Sequence, residues 1–252
     1  MMKVTILGSG TSVGVPVPRC NCKVCTSSDP RDKRLRASVL IESEGKTVMI
    51  DCGPDFRQQV LRVGLQHLDA ILITHLHYDH CGGLDDLRPF AYNLEMPVYT
   101  EHYVADLLRE KYDYIFGRRY PGVARIDLRV VTPEVPFNIG GLTVTPLRLM
   151  HGRLPIVGYR INDLAYLTDC TEIDEAALPL LEGIDTLIID ALRFKSHPTH
   201  MNVEQALAVV EQLRPRRTYF THISDGMGLH SETDATLPEG VHLAYDGLVI
   251  EL

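Results

Sequence analysis

Apolar residues fall mostly in short runs broken by glycine and proline turns, a pattern that predicts strands more often than helices. The first run, residues 3–7, opens directly into Gly8-Ser9-Gly10-Thr11-Ser12-Val13-Gly14. That segment lacks G-x-G-x-x-G spacing and a Lys-Ser/Thr ending, and it leads to Pro16 and Pro18 rather than into a helix. It therefore reads as a loop that needs a permissive backbone, not as a nucleotide cradle. Residues 37–41 and 47–50 predict a hairpin across Glu44-Gly45. Residues 55–63 place Phe56, Val60 and Val63 on one face of a helix. A strand follows over 68–73, then a helix over 84–92 interrupted at Pro89, a short strand at 97–99 and a helix over 102–112.

Beyond Val135 the pattern turns to strands at 135–139, 142–149, 156–161, 164–168 and 186–190, with helical periodicity at 174–181. Residues 203–213 form a clean helix with Val203, Leu207, Val210 and Leu213 at helical spacing. Strands at 218–221, 241–245 and 248–252 close the set. No internal repeat, low-complexity segment or linker interrupts the chain. Many strands, then strand–helix alternation, twice over, predict an α/β fold of two sheets covered by helices in one domain over 1–252. Residues 112–129 are the most basic and aromatic part, with Tyr112, Tyr114, Phe116, Arg118, Arg119, Tyr120, Arg125 and Arg129. They read either as a solvated connection or as a lid over 101–129.

Composition adds limits. At 252 residues, 45% of them hydrophobic, the chain can bury one sizeable core. No stretch is apolar enough to span a membrane, and the N-terminus reads as a strand rather than a signal peptide, so a cytoplasmic protein is expected. Thirty-three acidic residues against 25 basic ones leave a formal charge of −8, which disfavours a nucleic-acid partner. Six cysteines include the cluster Cys20-x-Cys22-x-x-Cys25 in the loop at 18–36, a spacing that suggests a metal rather than disulfides.

The sharpest signal is Thr74-His75-Leu76-His77-Tyr78-Asp79-His80, where a buried strand ends in a loop and four groups able to bind a divalent metal lie within six residues. One metal needs more ligands than His75 and His77 supply. His151, Asp169 and His222 each follow a predicted strand, which is where a sheet scaffold gathers functional groups.

The run 74–80, with Asp51, His151, Asp169 and His222 in that order, resembles the metallo-β-lactamase superfamily over nearly the whole chain. The resemblance implies a four-layer αβ/βα sandwich of two mixed sheets, with the site along one edge. It implies that His75, His77 and His151 bind one Zn or Mn ion, that Asp79, His80 and His222 bind a second, and that Asp169 bridges both. Asp51 would orient a ligand from behind. Two such ions can lower the pKa of a shared water and neutralise charge on phosphorus. Asp169 in place of a cysteine argues against the antibiotic-cleaving branch.

Cys20, Cys22 and Cys25, with Thr221-His222-Ile223-Ser224, resemble the phosphoribosyl cyclic phosphate phosphodiesterase branch. That branch carries a structural zinc on three such cysteines and a histidine placed where this chain has Asp225. Asp225, His230 or a water is then the fourth ligand. His200, in His197-Pro198-Thr199-His200-Met201, matches a histidine the family places beside the metals. His200 and Asp79 are the expected catalytic residues, with His197 set second and His67, His102 and His242 left to surface or core. The implied activity is hydrolysis of a small phosphodiester, such as a phosphoribosyl 1,2-cyclic phosphate. A tRNase Z-like nuclease and a glyoxalase II-like thioesterase share the ligand order. A non-catalytic scaffold would show an eroded ligand set, and none of the seven is missing. Homodimerisation is left open.

Overall fold

The structure is a computed structural model that describes residues 1–91, 94–117 and 121–252. Its first sheet takes β1 (Lys3–Gly8), β2 (Ser38–Ser43), β3 (Lys46–Ile50), β4 (Ala70–Leu72), β5 (Met96–Glu101) and β6 (Ile126–Val131). The second takes β7 (Phe137–Ile139), β8 (Leu142–His151), β9 (Leu154–Ile161), β10 (Leu164–Leu167), β11 (Glu172–Ile173), β12 (Thr186–Asp190), β13 (Arg217–Thr221) and β14 (Val241–Leu243). β15 (Val249–Glu251) then returns to the first sheet and pairs antiparallel with β1. The strand orders are β15-β1-β2-β3-β4-β5-β6 and β11-β8-β9-β10-β12-β13-β14, with β7 on β8. In each sheet one side is antiparallel and the other parallel: β3 to β6 run in parallel, as do β10, β12, β13 and β14.

The alternation within each strand sets the layers. Val4, Ile6, Val39, Ile41, Val48 and Ile50 face Val157, Tyr159, Tyr166 and Ile188 between the sheets. Leu7, Leu40, Met49 and Ile71 point the other way, onto α1 (Phe56–Val63) and α3 (His102–Lys111). Leu147, Leu167, Leu187, Ile189 and Phe220 pack beneath α5 (Val203–Leu213). The expected four-layer sandwich of two mixed sheets flanked by helices is what forms. Short helices α2 (Tyr78–Cys81), α4 (Asp113–Phe116) and α6 (His230–Asp234) complete the set.

Several expectations need correction. The helix over 84–92 shrinks to a 3-10 turn at Leu84–Leu87, and that over 174–181 to a 3-10 turn at Leu178–Leu181. Pro89 and Pro179 stand inside these stretches, and proline lacks the N–H that a continuing helix needs. Tyr92, Arg118, Arg119 and Tyr120 lie outside the described residues. Within 101–129, Tyr112 and Ile115 are buried, Tyr114 and Phe116 pack on the same core, and Arg125 is followed by the unforeseen strand β6. His151 ends β8 rather than following it.

Candidate metal centre

Each implied ligand stands at or just beyond the C-terminal end of a strand, and the parallel arrangement brings those ends to one edge. Asp51 follows β3, the run 74–80 follows β4, His151 ends β8, Asp169 follows β10 and His222 follows β13. Three of these residues, Asp51 (φ 63°), Asp169 (φ 55°) and His222 (φ 57°), adopt a left-handed backbone that non-glycine residues rarely take. The turns that aim them at a common point are strained. Backbone bonds seam the sheets beside this edge: Val157 N–H donates to Thr74 O (3.2 Å), Thr11 N–H to Ile223 O (3.1 Å) and Ile223 N–H to Ser9 O (2.9 Å). Gly53 allows a close approach of two backbones here, since a Cβ there would stand 2.0 Å from Asp79 O.

Asp169 is the hub. Its Oδ2 lies 3.5 Å from His75 Nε2, while its Oδ1 lies 3.3 Å from His80 Nε2 and 2.8 Å from His222 Nε2. Asp79 Oδ2 is 3.1 Å from His80 Nε2 and 3.5 Å from His222 Nε2. Three candidate ligand groups form on this hub: Asp79, His80 and His222; His75 and His77; and His151 and His200. His75, His80, Asp169 and His222 are buried, and Asp79 and His151 nearly so. Even so, the Nε2 atoms of His75, His80 and His222 make no hydrogen bond among the described residues. An unsatisfied buried polar atom costs about 1–3 kcal/mol. Imidazole nitrogens converging unsatisfied on carboxylates suit a divalent cation, and the donor set of histidine and aspartate matches zinc or manganese.

The field agrees. Burial lowers the imidazole of His80, yet Asp169, Asp79 and Asp51 outweigh it and push the group well above its usual range. His222 behaves alike: burial opposes, and Asp169 and Asp79 raise it to about 10. A buried site with this excess of negative charge attracts cations.

Asp51 sits behind the ligands. His80 Nδ1 donates to its Oδ2 at 2.6 Å, and the Thr74 N–H and hydroxyl donate to its Oδ1 at 2.9 and 3.0 Å. This leaves His80 Nε2 free for the centre.

His200 closes the site. Its ring stacks 4.9 Å from that of His222 and stands 4.8 Å from that of His151. Its Nδ1 lies 3.0 Å from Oδ2 of Asp190, the fully buried last residue of β12. Asp190 escaped the sequence reading. Its signal was the one the ligands gave, a carboxylate at a strand's C-terminal end, but no histidine or second carboxylate stands within four residues of it.

The second cluster also assembles. Asp225 Oδ2 lies 3.4, 3.5 and 3.9 Å from the sulfurs of Cys20, Cys22 and Cys25. A tetrahedral zinc with ordinary Zn–S and Zn–O bonds has S···O edges of about 3.6 Å. His230, the other named candidate, is turned away, its Nδ1 3.3 Å from the Arg34 guanidinium. His67, His102 and His242 are exposed beside Asp69, Asp106 and Asp234.

Comparison with known proteins places this arrangement. The profile of the β-lactamase superfamily domain matches residues 46–223. An octanoyltransferase of Porphyromonas gingivalis (strain ATCC BAA-308 / W83) is 46% identical across 98% of this chain, which spans only 51% of that protein's length. A crystal structure of a diphosphatase from the PhnP family is 42% identical, with a TM-score of 0.93, over 100% of this chain and 98% of that one. The Zn(2+)-bound PqqB of Methylobacterium extorquens shares the fold at a TM-score of 0.82 and 22% identity, over 99% and 100% of the two chains. The chain belongs to the β-lactamase superfamily.

Proposed function

We propose that this protein is a dinuclear metal-dependent phosphodiesterase acting on small phosphodiesters, a ribose cyclic phosphate being the implied type. The observation that carries the reading is Asp169, whose two carboxylate oxygens divide between His75 on one side and His80 with His222 on the other. His75, His77 and His151 would hold one divalent ion, and Asp79, His80 and His222 the other, with Asp169 shared. A pair of such ions supplies Lewis acidity, which lowers the pKa of water and offsets charge on a phosphoryl group.

The chain's own residues supply the proton transfers. As water's oxygen bonds to phosphorus, Asp79 takes its proton. As the bond from phosphorus to the leaving oxygen breaks, His200 gives that oxygen a proton from Nε2. Asp190 Oδ2 lies 3.0 Å from His200 Nδ1 and fixes the ring. The 42% likeness to a diphosphatase supports phosphorus chemistry.

Hydrolysis of bis(p-nitrophenyl) phosphate or of a ribose cyclic phosphate by protein loaded with Mn²⁺ or Zn²⁺ tests the reading, and inactivity on both rejects it. His200→Ala should lower turnover by about a hundredfold or more with metal content intact. An unchanged rate removes His200 from the mechanism.

Thioester hydrolysis is the second reading, favoured by the acyl chemistry in the name of the 46%-identical transferase. Half of that protein lies outside the similarity, so its transferase activity has no assigned place in this half. Cleavage of an acyl thioester faster than of any phosphodiester would favour this second reading.

A further inference from the structure

The loop between Asp190 at the end of β12 and Asn202 at the cap of α5 has a role only at His200. It carries Arg193, Lys195, His197 and His200 and no acidic residue, in a chain of net charge −8. The loop is tied down. Leu192 N–H donates to Met201 O (3.0 Å), Val203 N–H to Arg193 O (3.1 Å), and Asn202 Nδ2 to Phe194 O (3.3 Å). Arg193 spends its guanidinium on the loop itself, donating to the carbonyls of Lys195 and Ser196 at 3.3 Å each. Thr199 lies over Gly152, where a Cβ would stand 3.1 Å from its methyl group, beside His151.

His197 is half-buried on this loop, its ring centroid 5.0 Å from that of His200. Thr199 N–H donates to its Nδ1 at 3.4 Å, and a backbone amide can only donate. Nδ1 is therefore an acceptor, and the ring's proton sits on Nε2. His200 contacts the rings of His151 and His222, so His197 stands one imidazole further from the ligands, outboard of the group that protonates the leaving oxygen.

We infer that His197 is a specificity-determining residue whose Nε2–H donates to an oxygen borne by the leaving group, favouring sugar phosphodiesters over aryl ones. A neutral N–H matches a hydroxyl or ring oxygen on the carbons next to the leaving oxygen, which a ribose has and a nitrophenol lacks. The inference rests on the phosphodiesterase reading.

The test compares kcat/KM for a ribose cyclic phosphate with that for bis(p-nitrophenyl) phosphate in the metal-loaded parent, His197→Ala and His197→Gln. In His197→Ala the preference for the ribose substrate should fall about tenfold, through KM, the size expected for one neutral hydrogen bond. His197→Gln, whose amide can reach the place of Nε2, should restore most of it. A preference unchanged in His197→Ala overturns the inference, as does a loss shared equally by both substrates or one that follows metal content. Inactivity of the parent on both substrates rejects the phosphodiesterase reading, and the inference with it. Activity on both without a discriminating effect of His197 rejects the inference alone.

Discussion

At the scale of single residues, the candidate centre depends on groups that stand behind its ligand set. Asp51 holds His80 by a 2.6 Å bond to Nδ1 and is itself held by Thr74. Burial alone would raise its carboxyl, and the neighbouring imidazole of His80 works against that rise. Asp51→Asn keeps the size and removes the charge that fixes the ring. Metal affinity should drop about 10- to 100-fold, read by competition with a graded chelator; unaltered affinity would show that His80 needs no such brace. The strained turn residues Asp51, Asp169 and His222 explain why strand propensity alone does not place the ligands. Each sits where the strand has ended and the chain must bend sharply.

At the scale of elements, the legibility of a segment followed the length of its pattern. α5 was readable because its apolar spacing runs for 11 residues behind a capping box, Asn202 with Gln205. The hairpin β2–β3 was readable through Glu44-Gly45, the turn residues with positive φ. β6 was not, although Ile126, Leu128 and Val130 alternate with Asp127 and Arg129. Its charges merged with the arginines before it, and pairing with β5 decided its conformation. The turn after β13 links two clusters, since His222 and Asp225 are three residues apart and fall in different candidate ligand groups. Asp225→Ala should lower the zinc retained by the cysteine cluster while the zinc at the histidine site stays, measured as metal stoichiometry before and after mild chelation. Equal retention by parent and variant would leave the cysteines without Asp225 as a ligand.

At the scale of the whole molecule, a buried polar knot joins distant parts of the chain. Arg34 donates to Ser9 Oγ at 2.8 Å and contacts His230 Nδ1 at 3.3 Å, and His230 N–H donates to Asp32 at 2.8 Å. Asp246 accepts from the Ser9 and Leu35 amides and from Arg62. The knot fixes the cysteine loop to both ends of the fold. Burial and then Arg34 and Arg31 pull His230 down to about 4 from its ordinary 6.5, against the weaker pull of Asp234 and Asp29. Its folded pKa lies below its unfolded one, so between about pH 6.5 and 4 only the unfolded chain takes up the proton. Its contribution is whole above pH 6.5 and shrinks as pH falls toward 4. Urea unfolding of parent and His230→Gln across this window should show the parent losing stability more steeply on acidification. Parallel curves would contradict the assignment.

The sequence by itself determined which residue types stand at the ends of which strands, because turn chemistry and apolar periodicity act within about ten residues. From that came the run 74–80, His151, Asp169, His222, the cysteine triplet and the sandwich they imply. Only the tertiary structure decided that Asp169 divides its oxygens, that Asp190 holds His200, that Asp225 rather than His230 faces the sulfurs, and that β15 crosses back to β1. These relations join groups from ten to more than two hundred residues apart. Strand register and packing between sheets settle them, and neither is written in any local stretch of the chain.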